Sequence, residues 1–449
     1  VSGGRLTIHS PEITNTGGLL NQEGTQDLLL SQHTLRNNGG SITSAGRIHL
    51  KADVLDNRSG TLAAAGRDLS IETGDLDNRQ GKVQLSGAGV LSLQTNVLQG
   101  QQGALLSSGA LRLKAGLADL SGGYTQAGKI TAEAGILTND DAVLSARGQE
   151  GMQLTVSGTL SNRNGRAESA GDITLSSAKL DNSAGTLLAA DKGSLSLTTP
   201  GEVLNDKGRL IAGRHILLDT AALTSREGLI SATGGNMTLN SRQAVINEQG
   251  RMEALNRLTL NAAGLHNHNG TITGQDVTVG TGAAKLHNTR GNIAARDTLA
   301  LSSGETDNTG GLIQAGESLV IDTNNRQLSN REGGQILAGA LTLSAGNTDN
   351  QAGVIASSGN AQLQTADLNS DSGKILSQGD LTLNTAVLRN QHGLLQADGA
   401  LTLDTHGNGL ISTDSGEQGG IIAGGDLSLR TGRLEAAQGV IQGRNITLE

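Results

Sequence analysis

The stretch LDNRSGTLAAAGRDLSIETGD, residues Leu55–Asp75, decides the fold because the chain repeats it. The next stretch, LDNRQGKVQLSGAGVLSLQTNV at residues 76–97, opens with nearly the same residues and spaces its glycines in a similar way. A repeat of this length is typical of solenoids, in which each copy forms one layer of a stack. The repetition therefore predicts a stack of similar layers.

One register describes 21 repeats along the chain. It has an apolar residue at position 0, Asn at +2, Gly at +5 and an apolar residue at +7, and an apolar-x-apolar strand such as GDLTLNT (379–385) closes the unit. Gly occupies +5 in all but two repeats, where Thr125 and Ala142 stand, and Asn occupies +2 in 15 repeats. Position 0 falls on Ile13, Leu35, Leu55, Leu76, Leu98, Leu120, Leu137, Leu160, Leu180, Val203, Leu223, Val245, Leu265, Leu286, Thr306, Leu328, Thr348, Leu368, Leu388, Ser415 and Leu434.

Short runs with period two, such as TLAAA and DLSIE, predict half-buried strands separated by Gly-containing turns. One repeat cannot bury its own apolar face, but stacked copies at the inter-strand spacing of about 4.8 Å can. We therefore predict an all-β fold, a right-handed parallel β-helix of about 21 coils with roughly 21 residues per coil. We expect one continuous domain over residues 1–449, irregular near 116–148 and 404–416. Because the chain opens and closes in mid-pattern, we expect a fragment of a longer filament.

The composition supports a narrow aliphatic core, since 66 Gly accompany only two Pro, no Cys, Trp or Phe, and one Tyr, Tyr124. The formal charge of −9 is spread without basic clusters, which argues against a nucleic-acid partner. No stretch approaches 18 uninterrupted apolar residues, and the start lacks the regions of a signal peptide. The absence of cysteine excludes disulfides and thiol chemistry.

Two sets of residues have predicted structural roles. In a stack, like residues form columns, and inward Asn side chains at +2 can hydrogen-bond amide to amide, although Asn also simply favours turns. The predicted Asn ladder comprises Asn247, Asn267, Asn288, Asn308, Asn330 and Asn350. Glycines are expected to supply the backbone angles of the turns, and the turn glycines singled out are Gly60, Gly81, Gly185, Gly291 and Gly353.

The pattern LDNxxGxLxAxGxLxL, seen at Leu55–Ile71 and echoed at Leu180–Leu197 and Leu388–Leu403, resembles the haemagglutinin repeats of the filamentous haemagglutinin family. These repeats belong to large Gram-negative exoproteins exported by two-partner secretion. The Asn- and Gln-rich version here is most similar to the contact-dependent growth inhibition effectors of the CdiA type. The resemblance implies a β-helical stalk on the cell surface, an outer-membrane transporter as its export partner, and a receptor-binding or toxic region held away from the producing cell.

Residues suited to catalysis or cofactor binding do not form a convincing pattern. Some parallel β-helices cleave polysaccharides with convergent carboxylates and aromatic rings that stack on sugars. The acidic stretch NDDA (139–142) is interpreted as a solvated turn, and the rings are missing. The chain also lacks a Walker loop, a nucleophile elbow, an HExxH motif and the GGxGxDxUx calcium repeat. No catalytic residue and no cofactor is predicted.

One cluster is weighed as a metal site. His266 and His287 occupy +1 in adjacent repeats and Asp307 occupies +1 in the next, so stacking would place the three in one outward column. Three loosely spaced exposed ligands rarely make a dedicated site. We interpret them as a polar surface column and predict no metal.

We therefore expect a non-enzymatic stalk segment of a secreted filament on a Gram-negative cell surface. The alternative is an adhesive segment that binds a target-cell receptor directly, through Tyr124 or the two irregular regions, since solenoid insertions project as loops. The opposing interpretation is that each insertion is a tolerated loop that binds nothing. A polysaccharide-processing enzyme is a third, weaker hypothesis.

Overall fold

A computed structural model describes residues 1–416 and 419–449. The chain divides into two compact units. Unit 1 comprises Val1–Thr224 with Gly228–Gly235, and unit 2 comprises Ser225–Glu227 with Asn236–Glu449. Within the described residues all the regular elements are β-strands, and none is a helix suited to crossing a membrane.

Unit 1 contains 23 strands, which alternate between very short and long. In chain order they are β1 Ser2–Gly3, β2 Glu12–Thr14, β3 Leu19–Gln22, β4 Leu28–Arg36, β5 Ser41–Ser44, β6 Ile48–Asp56, β7 Thr61–Ala64, β8 Leu69–Asp77, β9 Lys82–Leu85, β10 Val90–Gln99, β11 Ala104–Ser107, β12 Ala110–Asp119, β13 Tyr124–Ala127, β14 Lys129–Thr138, β15 Val143–Ala146, β16 Met152–Ser161, β17 Arg166–Ser169, β18 Ile173–Asp181, β19 Thr186–Ala189, β20 Leu195–Leu204, β21 Arg209–Ala212, β22 Ile216–Thr224 and β23 Leu229–Ala232.

Unit 2 has shorter strands, because the long strand of a coil is usually split in two. In chain order they are β24 Met237–Ser241, β25 Val245–Ile246, β26 Arg251–Ala254, β27 Arg257–Asn261, β28 Leu265–His266, β29 Thr271–Gly274, β30 Asp276–Gly280, β31 Leu286–His287, β32 Asn292–Ala295, β33 Thr298–Ser302, β34 Thr306–Asp307, β35 Leu312–Asp322, β36 Leu328–Ser329, β37 Gln335–Ser344, β38 Thr348–Asp349, β39 Val354–Ser357, β40 Ala361–Gln364, β41 Asp367–Asn369, β42 Lys374–Ser377, β43 Leu381–Asn384, β44 Val387–Arg389, β45 Leu394–Ala397, β46 Leu401–Asp404, β47 Gly409–Ile411, β48 Gly420–Ala423, β49 Leu427–Arg430, β50 Arg433–Glu435, β51 Ile441–Gln442 and β52 Ile446–Leu448.

Strands pair in parallel with the equivalent strand of the next coil. In unit 1, β6 pairs with β8 so that Leu55 lies beside Leu76, and β7 pairs with β9 so that Leu62 lies beside Val83. In unit 2, β28 pairs with β31 in the same way. The prediction of an all-β parallel solenoid with about 21 residues per coil is confirmed.

Aliphatic side chains at equivalent positions fill the interior of each unit. In the coil that begins at β6, Ile48, Leu50, Leu55 and Leu62 are completely buried. Alternation places these residues inside and their neighbours outside, as expected for strands with one buried face. Because every coil repeats the layer, a thin core without aromatic rings is continuous within each unit.

The predicted register is wrong by two residues at one coil of unit 1. Strand β12 aligns Ala118, not Leu120, with Leu98 below and Leu137 above. Leu120 therefore occupies +2 and Gly123 occupies +5, so Thr125 is the apolar-facing residue at +7. Between residues 116 and 148, β12 pairs with β14 without a register shift, and β14 pairs with β16 with one shift, between Ala134 and Leu137.

The register is also wrong at Ser415. Leu410 pairs with Leu388, so Leu410 occupies position 0, and the residue that the prediction placed at +2, Glu417, lies outside the described residues. The extra residues enter in two places. Five positions separate Leu383 from Leu388 but seven separate Leu403 from Leu410. The remainder enter between Ser412 and Gly420, the latter of which pairs with Leu394.

Candidate functional site

Asparagine side chains at +2 form a buried column in unit 2. Asn247, Asn267 and Asn288 are completely buried. Each Nδ2 donates to the Oδ1 of the Asn in the next coil, at 2.8 Å from Asn247 and 2.7 Å from Asn267. The same Nδ2 also donates to the backbone carbonyl of its own +5 glycine, as Asn288 does to Gly291 at 3.2 Å. The bonds continue through Asn308, Asn330 and Asn350.

Two shorter columns lie in unit 1. One runs from Asn15 to Asn78 and the other from Asn139 to Asn205, again with amide-to-amide distances of 2.7–2.8 Å. The two coils between them carry Gly100 and Leu120 at +2.

Two of the three columns, and the isolated Asn390, start with an unpaired acceptor where the preceding coil supplies no amide. The Oδ1 atoms of Asn139, Asn247 and Asn390 are buried and accept no hydrogen bond from any described residue. Since an unpaired buried acceptor costs roughly 1–3 kcal/mol, a break in the column is a local weak point.

The turn after each Asn is a tight one. The carbonyl of Asn57 accepts a hydrogen bond from the N–H of Gly60 at 3.0 Å. The residue in the left-handed region is the one at +4, with φ of 52° at Ser59 and 54° at Ala184, Arg290 and Ala352. The expectation that glycines supply these backbone angles is therefore wrong for the five glycines singled out.

Those glycines are required for space instead. A Cβ on Gly60, Gly81, Gly185, Gly291 or Gly353 would overlap the carbonyl oxygen of the +2 Asn in the preceding coil. It would also press against the amide of the Asn in its own coil. The +5 glycine thus lets the backbone of one coil approach the Asn column closely.

Ion pairs between the +3 and +1 columns link successive coils on the surface. Arg163 Nε lies 2.6 Å from Asp181 Oδ2, and the Asp181 side chain is only 5% exposed. Burial would raise the pKa of Asp181, but hydrogen bonds from Ser183 and the Arg163 guanidinium outweigh it and hold the pKa below its usual value. The arrangement stabilises a charged surface.

The three candidate metal ligands do stack, but they do not converge. His266 lies beside His287, with ring centroids 5.0 Å apart, and His287 lies beside Asp307. The Asp307 carboxylate accepts hydrogen bonds from Thr289 at 3.2 Å and from the N–H of Thr309 at 3.0 Å. In the part of the chain that the structure describes, no group of three or more His, Asp or Glu side chains is placed to hold a metal ion.

Tyr124 lies on the outer face of β13 and is 38% exposed. Its hydroxyl donates to Gln126 at 2.5 Å and accepts from Arg147 at 3.2 Å. Its neighbours in the adjacent coils are Ala104 and Val143. The ring therefore has no aromatic neighbour, since the sequence contains one Tyr and no Phe or Trp.

The acidic stretch and the insertion also form turns. Asp140 accepts hydrogen bonds from Ser161 at 2.6 Å and from the N–H of Arg163 at 2.9 Å, and Asp141 occupies the left-handed position of the turn, with φ of 53°. In the insertion, His406 lies 3.6 Å from Asp404 and is largely exposed.

These features define the class of protein. The buried polar groups serve the stacking of coils, and the chain is a repeat solenoid. The family model described as "Haemagglutinin repeat" matches nine segments that together cover nearly the whole chain: 1–94, 80–149, 153–199, 192–241, 238–289, 278–337, 321–371, 336–408 and 404–448. The chain belongs to this family, as the sequence pattern predicts.

A curated relative supports the same assignment. The chain is 32% identical over 161 residues to "Deoxyribonuclease CdiA" of Dickeya dadantii (strain 3937). The alignment covers 36% of this chain and 4% of that relative, so the chain spans a small fraction of its length. No solved structure matches the chain significantly.

Two features escaped the sequence analysis. One is the left-handed backbone conformation at +4. This position is occupied by Ser, Gln, Arg and Ala as well as Gly, so no single residue type in the sequence indicates the positive φ. The outward columns of the long strands require the register of neighbouring coils, which a single repeat does not reveal.

Proposed function

We propose that the chain is a stalk segment of a secreted, cell-surface filament that holds a receptor-binding or toxin-delivery region at a distance from the producing cell. The observation that carries this proposal is the repetition of one coil within each unit, with aliphatic residues inside and small polar residues outside. In a stack of equivalent coils each coil adds about 4.8 Å, so the number of coils sets the length of the stack.

Family membership supports the cellular setting. Haemagglutinin repeats imply a secreted protein of a Gram-negative bacterium, exported by the two-partner route through an outer-membrane transporter. The matched relative is named a deoxyribonuclease, and only 4% of it aligns with this chain. We assign no nuclease activity to the present residues.

The stalk proposal is tested by measuring the rise per coil inside unit 1. Ser70 and Ser196 lie in one outward column, six coils apart, and the chain has no cysteine to interfere with labelling. Spin labels at Ser70→Cys and Ser196→Cys should give a narrow distance distribution near 29 Å, six steps of about 4.8 Å.

Deletion of residues 131–173 removes two whole coils and keeps the register, because Ile130 pairs with Met152 and Met152 with Ile173. The distance should fall by about 10 Å. A matched deletion of residues 131–152 removes one coil and should shorten the distance by half as much. A broad distribution, or a distance that does not follow the number of coils, would contradict the stalk.

A further inference from the structure

A column of outward side chains on five successive long strands of unit 1 carries an ordered charge pattern. Lys51, Glu72, Gln94, Lys114 and Glu133 lie on β6, β8, β10, β12 and β14 and pair in register, one per coil. All five are exposed. We call this set the charged column; it spans roughly 19 Å, four steps of about 4.8 Å.

The charged column is bounded by neutral coils. Ser31 precedes Lys51 in the column, and Thr155, Ser176 and Thr198 follow Glu133. In the adjacent outward column of the same five strands the residues are His49, Ser70, Ser92, Arg112 and Thr131. Charge on this face is thus concentrated in five coils, and Arg112 adds to the cationic coil of Lys114.

The order of charges is antisymmetric about its centre. Read along the chain it is positive, negative, neutral, positive, negative, so reversing the direction inverts each sign. A two-fold axis through Gln94, perpendicular to the stacking direction, would place Lys51 opposite Glu133 of a second copy and Glu72 opposite Lys114. The spacing matches by necessity, because both copies have the same rise per coil.

Exposed apolar side chains accompany the charged column. Across a groove of about 430 Å³ lined by Gly74, Asn96 and Gly116, the next outward column contains four apolar residues and one acid: Val54, Asp75, Val97, Leu117 and Ile136. Val54, Leu117 and Ile136 are 45%, 39% and 44% exposed. Apolar groups of this size grouped on a surface indicate an interaction site, and the same two-fold axis would place Val97 against its own copy.

Lys114, Glu133 and the neighbouring Arg112 are free to make new contacts, whereas Lys51 and Glu72 already pair with each other. Lys51 Nζ lies 3.1 Å from Glu72 Oε1 within the chain. Arg112, Lys114 and Glu133 form no ion pair with any residue in 1–416 or 419–449. Asp75 lies between Val54 and Val97 in the column of exposed apolar side chains, so the same two-fold axis places it opposite Leu117 of the second copy.

We propose that this face of unit 1 binds a second copy of the same chain in antiparallel orientation, with Gln94 on the two-fold axis. Four lysine–glutamate pairs form between the copies in this register, and a shift by one coil in either direction removes at least two of them. Antiparallel association joins chains that run in opposite directions, as filaments on two facing cells do; this last consequence alone rests on the proposed function.

Charge reversal tests the pairing. The full 449-residue chain should show a concentration-dependent dimer by sedimentation velocity in low salt, weakened as the ionic strength rises. Lys114→Glu and Glu72→Lys should each shift the dissociation constant at least tenfold towards monomer. The double variant exchanges the two charges and should recover most of the affinity. Lys82→Glu, on a different face, is the matched control and should leave dimerisation unchanged.

Cysteine cross-linking tests the orientation, because the chain has no native cysteine. Gln94→Cys should form a disulfide-linked dimer on mild oxidation, since only a residue on the two-fold axis meets its own copy. Ser31→Cys, three coils away in the same column, should not. A chain that stays monomeric at all accessible concentrations, a double variant that does not recover, or equal cross-linking of both cysteines would overturn the proposal.

Discussion

Two regions of the molecule differ in the side chains that link successive coils at position +2. In unit 2, six consecutive asparagines from Asn247 to Asn350 join their side chains through the coils. In unit 1, two successive coils carry Gly100 and Leu120 at the same position, and Asn139 begins the next column with an unpaired acceptor. The strands pair in parallel in both regions.

This comparison distinguishes the interactions that the fold requires from the Asn hydrogen bonds that stabilise it further. Aliphatic layers and backbone pairing are present with or without the asparagines, so they suffice to form a coil. The +5 glycine is present in both regions as well, but its surroundings differ. A Cβ at Gly123 would lie 2.7 Å from the carbonyl oxygen of Gly103, whereas at Gly291 it would overlap the carbonyl oxygen of Asn267 and the Asn288 amide.

The largest effect is expected from Gly291→Ala. The added methyl group must displace the Asn column, which combines overpacking with lost hydrogen bonds, and we expect a loss of about 3 kcal/mol in local stability. Hydrogen exchange of amides in β31 and β32 measures the free energy of local opening. Gly123→Ala should cost less, and Gly409→Ala, where no atom lies within 4 Å, should cost least. Equal costs at all three would contradict the spatial role of Gly291.

Asn288→Ala should cost about 2 kcal/mol, because it deprives Asn308 Oδ1 of its donor and Asn267 Nδ2 of its best acceptor. The loss should appear in the coils on both sides, by the same hydrogen-exchange measurement. Asn384→Ala makes the same truncation at a half-exposed site outside the column and is the control. If the two variants lost the same local stability, the Asn column would add nothing to the stability that the turn itself provides.

Ser370→Asn should increase stability by about 1 kcal/mol, since it extends the column to Asn390, whose Oδ1 lacks a donor among the described atoms. Ser370 is completely buried at +2 and accepts from Asn350 at 3.2 Å. The predicted result is slower exchange in β44 and β45. Ser329→Asn, at the half-buried end of β36, should have no such effect. A destabilised Ser370→Asn variant would show that the site cannot accept the larger amide.

The smallest effect concerns pH. Burial, together with the neighbouring His287, lowers the pKa of His266 below its usual 6.5, and Arg226 acts in the same direction while Glu248 opposes it. The folded state then binds the proton less readily than the unfolded state, so the contribution of His266 to stability is present above pH 6.5 and is lost as the pH falls through the lower folded value. Local opening of β28 should become easier over that range in the native chain, and His266→Gln should remove the dependence. His49→Gln, on an exposed strand position, is the control; a wild-type profile without pH dependence would refute the prediction.

Much of the coil could be predicted from spacing alone, because Asn at +2 and Gly at +5 recur with an apolar residue at +7 and stacking forces equivalent residues into columns. The correct register near Leu120 and Ser415 could not be predicted in this way. Near Leu120 the Asn that marks position +2 is absent, and near Ser415 extra residues enter at two points, so only the pairing of adjacent strands identifies Ala118 and Leu410 as position 0. The charged column was missed for the same reason, since its order appears only when Lys51 and Glu72 are known to be neighbours.

The most direct test of the stalk proposal is binding of the labelled, purified chain to bacterial and animal cells. A stalk that only sets distance predicts no saturable binding to either. Saturable binding to one cell type would contradict that account and favour an adhesive segment; substitution of Tyr124 and deletion of residues 404–416 would then locate the contact.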